Sequence, residues 1–316
     1  MTNANALDQS LRFKTRAALQ LDTSWSELER AIVMTVAYAD VFDYPLTSGE
    51  IHRYLAGVAA APAVVEAALR QGHLVAGTLA QSGPYVMLPG REAIVETRRR
   101  RAAVAERMWP AAVFYGRMIG RLPFVRMVAV TGALAVSNVD PGADIDYLVI
   151  TEPGRLWLCR AIIIGLVRLA ARRGHILCPN YLLSERALAL GQRSLYGAHE
   201  LMQMVPITGV PCYNRMRRAN PWADELLPNA AGMPYAVTPP AASRSRSQAV
   251  AELALRTRAG GWLERWEMER KVRKFSAGRA GNPEISLNSD CCKGHFDGHG
   301  QRTLAAYEDR VRTLRS

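Results

Sequence analysis

The chain has 316 residues, enough for two or three domains, and its 49% hydrophobic and 22% charged residues exclude a disordered chain and indicate globular protein. Its 40 Lys and Arg residues outnumber its 28 Asp and Glu residues, which gives a net charge of +12. This balance favours a polyanionic partner such as a nucleotide, a nucleic acid or an acidic membrane surface, and it is equally compatible with solvated basic faces that bind nothing.

Cysteine usage and the apolar segments indicate a cytoplasmic protein without a membrane partner. Five scattered cysteines, an odd number, argue against a disulfide framework, and Cys178 and Cys212 are expected to be small buried hydrophobic residues. No secretory signal is visible at the start of the chain. The most apolar stretch, 156–171, contains Arg160 and Arg168 and is too short to span a bilayer, so it predicts a buried helix.

The first 92 residues are predicted to form a winged helix-turn-helix domain after a loose lead-in at 1–22. Two capping boxes, Ser24 to Glu27 and Thr47 to Glu50, indicate helix starts. Three helices followed by a hairpin is the order of elements in a winged helix. The predicted elements are helices at 28–39, 51–55 and 61–71 and strands at 73–80 and 84–89.

The third helix of this unit is the one that would lie in a DNA major groove. In this helix only Arg70 and Gln71 have side chains well suited to hydrogen bonding with DNA bases, and their neighbours are mainly apolar. Helices that read DNA carry more basic and amide side chains. The sequence therefore favours a protein-contact or substrate-positioning module over a DNA reader.

Residues 93–230 are predicted to form an α/β domain, because strands and helices alternate along the chain. Trp109-Pro110 is expected to break a charged helix that begins near Arg91, and Gly174 is expected to end a later helix. The region 231–248 is rich in Pro, Ala and Ser and predicts a linker to a C-terminal helical region that extends to residue 316. The predicted strands are 124–130, 144–151 and 175–185, and the predicted helices are 91–107, 110–119, 155–171, 196–205, 248–274 and 301–312.

Two aspartates open the second of these strands and carry the functional prediction. Asp144 and Asp146 face the same way because side chains alternate along a strand, while Ile145 faces the core. Two carboxylates on one face can hold hard cations such as Mg²⁺ or Mn²⁺. Nucleotidyl transfer requires a metal site beside a phosphate site, so this pattern indicates that reaction.

The phosphate site is predicted at the turn that follows the first strand. Thr131, Gly132 and Ala133 are small enough for backbone N–H groups to approach a phosphate at a helix start. Asn138 follows them and can donate to a phosphate or a sugar, or it can cap a turn.

The segment 131–151 resembles the minimal nucleotidyltransferase fold of the DNA polymerase β superfamily. That family has Gly-Ser or Gly-Gly at the first turn, where this chain has Gly132-Ala133, and Asp-x-Asp at the next strand, where it has Asp144 and Asp146. The resemblance implies a central mixed sheet with helices, a nucleoside triphosphate substrate and Mg²⁺ or Mn²⁺. It also implies a third carboxylate on a later strand. Here Asn180 occupies the central polar position and is a weaker candidate metal ligand, with Glu185 as an alternative at the end of that strand.

Three further segments extend the resemblance over most of the chain. They begin at Phe42 (Phe-Asp-Tyr-Pro-Leu-Thr), Cys178 (Cys-Pro-Asn-Tyr-Leu-Leu-Ser) and Asn220 (Asn-Pro-Trp). They are similar to segments of uncharacterised bacterial nucleotidyltransferase-like proteins with an N-terminal winged helix. This similarity implies the fold and brings no substrate with it.

A segment near the C-terminus is dense in potential ligands. Cys291, Cys292, His295 and His299 can be arranged around Zn²⁺, although their spacing matches no common structural zinc pattern and vicinal cysteines are poor joint ligands. In a second interpretation this segment folds back over the active site, and Lys293 contacts a phosphate there.

Two hypotheses follow from these patterns. In the first, the protein is an enzyme that transfers a nucleoside monophosphate from a triphosphate to an unknown acceptor, with Asp144 and Asp146 as the catalytic metal ligands. In the second, a catalytically degenerate domain of the same fold serves as a regulatory or scaffold protein. Its winged helix would then bind DNA or a protein partner.

Overall fold

A computed structural model describes residues 25–70, 74–191, 193–234, 245–276, 286–293 and 298–314. The lead-in predicted at 1–22 and the central part of the linker predicted at 231–248 lie outside the described residues. His295, one of the candidate zinc ligands, also lies outside them.

The N-terminal helices begin where side chains satisfy their free N–H groups. Helix α1 (Glu27–Asp40) has Ser26 as its N-cap, because the Ser26 hydroxyl accepts from the Glu29 amide at 3.2 Å and the Glu29 carboxylate accepts from the Ser26 amide at 2.7 Å. The first capping box is therefore two residues later than predicted. The second prediction is confirmed, since Thr47 and Glu50 form a capping box at the start of α2 (Ser48–Arg53).

A small antiparallel sheet completes this region. Helix α3 (Pro62–Arg70) agrees closely with the predicted third helix. The sheet has three strands in the order β1-β3-β2. Their bounds are β1 (Leu46–Thr47), β2 (Ala80–Ser82) and β3 (Tyr85–Met87).

The strand predicted at 73–80 is wrong for most of its length. Residues Leu74–Thr78 form a π-helical turn, closed by a bond from the Leu79 amide to the Leu74 carbonyl at 2.8 Å. Leu74 and Leu79 are both buried in the same apolar cluster. Residues five apart point to opposite faces of a strand, whereas a helical turn lets both reach one core.

Helix α4 (Ile94–Gly120) runs without interruption through Pro110, so the predicted break at this residue is also wrong. Pro110 and Glu106, whose carbonyl loses its helical donor, are both exposed, and water can satisfy that carbonyl. The opposite face of α4 packs against the sheet on both sides of Pro110, through side chains that share one apolar cluster. They are Val104, Ala105, Trp109, Ala112, Tyr115 and Ile119.

A mixed six-stranded sheet forms the centre of the fold, in the order β7-β4-β5-β6-β9-β8. Strands β5 and β6 are parallel, as expected for two strands joined by helix α6 (Leu156–Ala171), and the other neighbours are antiparallel. The predicted α/β class is confirmed. The strands are β4 (Val125–Val130), β5 (Ile145–Thr151), β6 (Leu177–Ser184), β7 (Val205–Thr208), β8 (Ser286–Leu287) and β9 (Cys291–Lys293).

Alternation along β5 divides the core between the two faces of this sheet. Leu148 and Ile150 pack with the helices of one face, and Tyr147 and Val149 pack with α4 and α6 on the other. The short helix α5 (Gly132–Ala135) follows β4. Helices that contribute buried residues to the first face include α1, α7 (Leu195–Gln203), α8 (Val210–Arg218), α9 (Pro221–Leu226) and α12 (His299–Thr313).

The helix predicted at 248–274 is two helices, α10 (Arg246–Leu255) and α11 (Arg258–Ser276). The chain turns so sharply between them that a Cβ on Gly260 would lie 2.0 Å from the Leu255 carbonyl oxygen. The closing helix α12 agrees with the prediction. Among the described residues, no helix combines the length and apolar character that crossing a bilayer requires.

Candidate active site

The turn after β4 is shaped around one aspartate. Thr131 donates its amide to the Asp146 carbonyl at 3.1 Å, and Gly132 begins α5 with a φ of +65°. A Cβ on Gly132 would lie 2.6 Å from Asp146 Oδ2. The left-handed backbone therefore favours glycine here, and any larger residue would displace the Asp146 carboxylate.

Asp144, Asp146 and Cys178 bring their ligand atoms together at the start of β5 and β6. Each residue offers one ligand atom within 4.8 Å of the others. Asp146 and Cys178 are partners in the parallel register, and Ile145 between the two aspartates is buried as predicted. The expectation that Cys178 is a buried hydrophobic residue is wrong, because its half-buried thiol faces the carboxylates; Cys212 is buried as expected.

Asn180 lies beside this cluster as a hydrogen-bond donor. Its Nδ2 donates to Asp146 Oδ1 at 2.6 Å, so the amide holds one oxygen of the carboxylate. The alternative, Glu185, is elsewhere: its carboxylate pairs with Arg215 and lies 4.0 Å from Arg126. Glu185 is therefore not the third carboxylate of this site.

The third carboxylate near Asp146 is that of Glu200 on helix α7, a residue that the sequence patterns did not indicate. Burial raises the pKa of Asp146 to about 7, and the negative charges of Asp144 and Glu200 act in the same direction. Burial also raises the pKa of Glu200 to about 6. The only local signal for Glu200 is its place among the buried residues Ala198, His199 and Leu201.

Burial and both aspartates raise the pKa of the Cys178 thiol to about 12. Without a cation, this thiol is neutral at physiological pH and is a poor nucleophile.

A cavity of about 470 Å³ opens beside the cluster. Its walls are rich in aromatic rings, and the His199 ring stacks on Tyr38 with centroids 4.1 Å apart. Such rings can hold a flat base by stacking. The aromatic lining residues are Tyr38, Phe42, Tyr44, Tyr54, Tyr196 and His199, and the other site residues that face the cavity include Thr131, Gly132, Ala133, Asn138, Asp146, Asn180 and Glu200.

Asn138 and Arg101 hold the wall of this cavity in place. Asn138 Nδ2 donates to the Phe42 carbonyl at 3.0 Å, and its Oδ1 accepts from Arg101 at 3.3 Å. Arg101 also makes two 2.9 Å bonds to the Asp140 carboxylate. Both functional groups of the Asn138 amide thus bond to protein atoms far along the chain, so these bonds hold the cavity wall and do not cap a local turn.

A second cavity, of about 550 Å³, meets the first at Thr131, Asn180 and Glu200, which line both. Lys293 lies in this second cavity, on β9 opposite Tyr181, with its ammonium 5.5 Å from the Tyr181 ring centroid. Its positive charge acts to lower the pKa of Glu200. The structure thus places Lys293 near Glu200, in a cavity that Thr131 also lines.

The cysteines next to Lys293 do not form a joint zinc site. Cys291 packs in the core on one face of the sheet and Cys292 in the core on the other. Neighbouring residues of a strand point to opposite faces, so the two thiols cannot bind one ion. His299 lines the first cavity.

Comparisons with known proteins assign no family. No protein-family model matches the chain, and no curated protein or solved structure matches it. The geometry of these residues is therefore the basis on which a function can be inferred.

Proposed function

We propose that the protein is a metal-dependent nucleotidyltransferase that transfers a nucleoside monophosphate from a nucleoside triphosphate to an acceptor hydroxyl or amine. One observation carries this proposal. The Asp146 carboxylate lies against Gly132 at the edge of an aromatic-lined cavity. A metal ligand in contact with the first turn of a helix is the arrangement that the Gly-x and Asp-x-Asp pattern implies.

Asp144 and Asp146 are the residues that would hold Mg²⁺ or Mn²⁺. Their chemistry fits a cation, because the negative charges of Asp144 and Glu200 oppose the ionisation of Asp146 and a divalent cation would relieve that cost. When bound, the cation supplies positive charge to the phosphate oxygens during in-line displacement. Asn180 fixes one oxygen of Asp146.

The charges that face the first cavity explain why nucleotide binding should require the cation. Arg101 faces this cavity but is bonded to Asp140. Three further carboxylates, Asp43, Asp146 and Glu200, face the same space. A triphosphate alone would meet mainly negative charge there, and the turn amides at Gly132 and Ala133 would position its phosphates once the carboxylates are neutralised.

Glu200 is the residue that takes the proton of the acceptor in this proposal. The acceptor oxygen or nitrogen bonds to the α-phosphorus, the bond from that phosphorus to the bridging oxygen breaks, and pyrophosphate leaves. A carboxylate with a pKa of about 6 is ionised at neutral pH and is still a useful base. Its position at the junction of the two cavities supports an acceptor that enters through the second one.

The N-terminal region, in the same proposal, is a winged helix that completes the nucleotide cavity. The order of three helices and an antiparallel sheet supports this assignment. Its side chains Tyr38, Phe42 and Tyr44 form part of the cavity wall. Helix α3 exposes Arg70, which pairs with Glu66, so a role in positioning substrate is favoured over DNA reading.

The decisive experiment is the combined substitution Asp144→Ala and Asp146→Ala. We expect it to abolish the rise in melting temperature that nucleoside triphosphates and Mg²⁺ produce in the native protein. The control is Asp309→Ala, which removes an exposed carboxylate on α12 and should leave the rise intact. Unchanged nucleotide binding in the double variant would refute the assignment.

A catalytically degenerate relative of the fold is the second candidate. It is favoured by Asn180, an uncharged residue whose amide donates to Asp146 where the family pattern implies a third carboxylate on β6. Release of pyrophosphate from a mixture of triphosphates with Mg²⁺, even at a slow rate, would exclude this second candidate. Salt-sensitive DNA binding without turnover would support a regulatory role in its place.

A further inference from the structure

The thiol of Cys178 lies beside the two carboxylates of the proposed cation site. Cys178 is the register partner of Asp146 on the adjacent parallel strand, so backbone pairing fixes its position. Its sulfur and one carboxylate oxygen from each aspartate lie no more than 4.8 Å from one another. A cation between them needs only small movements of the side chains to reach all three.

The neighbouring residues hold this arrangement from two sides. Asn180 donates to Asp146 Oδ1, and Gly132 lies against Asp146 Oδ2. The carboxylate therefore has a fixed orientation, with its ligand oxygen close to the sulfur. Hydrogen bonds to a ligating carboxylate are the usual way in which proteins orient it toward a metal.

A mixed set of two oxygens and one sulfur selects a different cation from an all-carboxylate set. Mg²⁺ takes oxygen ligands in a strict octahedron and keeps several waters. Thiolate is a soft ligand that favours Zn²⁺, and Zn²⁺ binds to sulfur and carboxylate oxygen in the same site. Co²⁺ can occupy such sites, and a thiolate bound to Co²⁺ gives a charge-transfer absorption band.

We propose that Cys178 is a metal ligand together with Asp144 and Asp146, and that this site binds Zn²⁺ and Co²⁺ in preference to Mg²⁺. This inference rests on the proposed function, which assigns a divalent cation to the two aspartates. It changes the identity of the cation and adds a ligand that the carboxylate pattern does not contain.

The test is a titration of the metal-free full chain with Co²⁺, followed by ultraviolet absorption. We expect a thiolate-to-cobalt charge-transfer band in the native protein. Cys178→Ser should lose the band, and Cys212→Ser, which removes a buried thiol on α8, should keep it. Competition with Zn²⁺ should give a loss of affinity of more than about tenfold in Cys178→Ser, the lower bound for removal of even an outer partner of a metal ligand.

Cys178→Asp provides a second readout that does not depend on the loss of a signal. It converts the set to three carboxylates and should reduce the preference, so that the ratio of Zn²⁺ affinity to Mg²⁺ affinity falls by about tenfold or more. Circular dichroism of each variant without metal shows whether it has folded. A folded Cys178→Asp protein with the native ratio of Zn²⁺ affinity to Mg²⁺ affinity would overturn the inference.

The remaining outcomes separate this inference from the proposed function. A native protein that binds nucleotide with Mg²⁺ but gives no charge-transfer band, or takes up no Co²⁺, overturns the thiolate ligand and leaves the transferase proposal standing. A protein that binds Co²⁺ through Cys178 but fails to bind nucleotide supports the metal site and counts against the transferase. Absence of any divalent binding refutes both.

Discussion

The Asp146 carboxylate lies against the backbone of Gly132, so closely that a Cβ at position 132 would lie 2.6 Å from Oδ2. The Gly132 turn and the Asp146 carboxylate are therefore one structural unit. The side chain that would hold the cation fixes the backbone that would hold the phosphate.

Gly132→Ala tests this unit. It should destabilise the protein by about 1–2 kcal/mol through the left-handed backbone alone, and by more through the clash, and it should abolish Mg²⁺-dependent nucleotide binding. Gly142→Ala is the matched control, because Gly142 also has a positive φ of +81° but has no neighbour within 4 Å of its Cβ position. Urea unfolding and thermal shift with nucleotide measure both effects. Equal behaviour of the two variants would contradict the role of the contact.

Asn180→Asp should convert the cluster to a stronger cation site. The added charge repels Asp144 and Asp146 and removes the donation to Asp146, so the metal-free protein should melt at a lower temperature. Its affinity for Mg²⁺ should increase by about tenfold, equivalent to about 1.4 kcal/mol. Asn180→Ala loses the same hydrogen bond without the charge and should show no gain. Calorimetric titration with Mg²⁺ measures the difference, and a gain in both variants would exclude the electrostatic explanation.

Glu200→Gln should separate binding from chemistry. Nucleotide binding with Mg²⁺ should persist, while pyrophosphate release should fall by about a hundredfold or more, the usual contribution of a positioned base. Glu185→Gln provides the comparison, since that carboxylate pairs with Arg215 away from the cavities and should leave release unchanged. If the Glu200 variant releases pyrophosphate at the native rate, the proton acceptor is another group.

The buried His199 should make the free energy of unfolding depend on pH in the acid range. Burial lowers the pKa of His199 to about 3, from an ordinary value of 6.5. The unfolded chain takes up a proton that the folded protein does not, so the contribution of His199 to stability is complete above pH 6.5. It is lost by about 1.4 kcal/mol per pH unit as the pH falls toward 3.

His199→Phe isolates this contribution, because phenylalanine retains a ring to stack on Tyr38 and does not titrate. Between pH 6.5 and 4.5 the free energy of unfolding of the variant should fall less than that of the native protein, by about 2.3 kcal/mol at the lower end. Guanidinium unfolding across this range measures it. Parallel pH profiles would show that His199 is protonated in the folded protein.

The local features of this protein follow from the sequence. Thr47 and Glu50 cap a helix through atoms three residues apart, and the apolar runs around Val128 and Leu148 form strands whose alternation places Asp144 and Asp146 together. Interactions over a few residues decide these features, and propensity and spacing express them directly.

Tertiary packing decided the rest. Glu200 lies near Asp146 only because α7 packs on the first face of the sheet, and Cys178 faces the carboxylates only because β6 pairs with β5 in one register. Pro110 stays inside a continuous helix because one face of that helix is buried along its length and the other is open to water. These outcomes depend on contacts between residues far apart in the chain, and local periodicity carries no information about them.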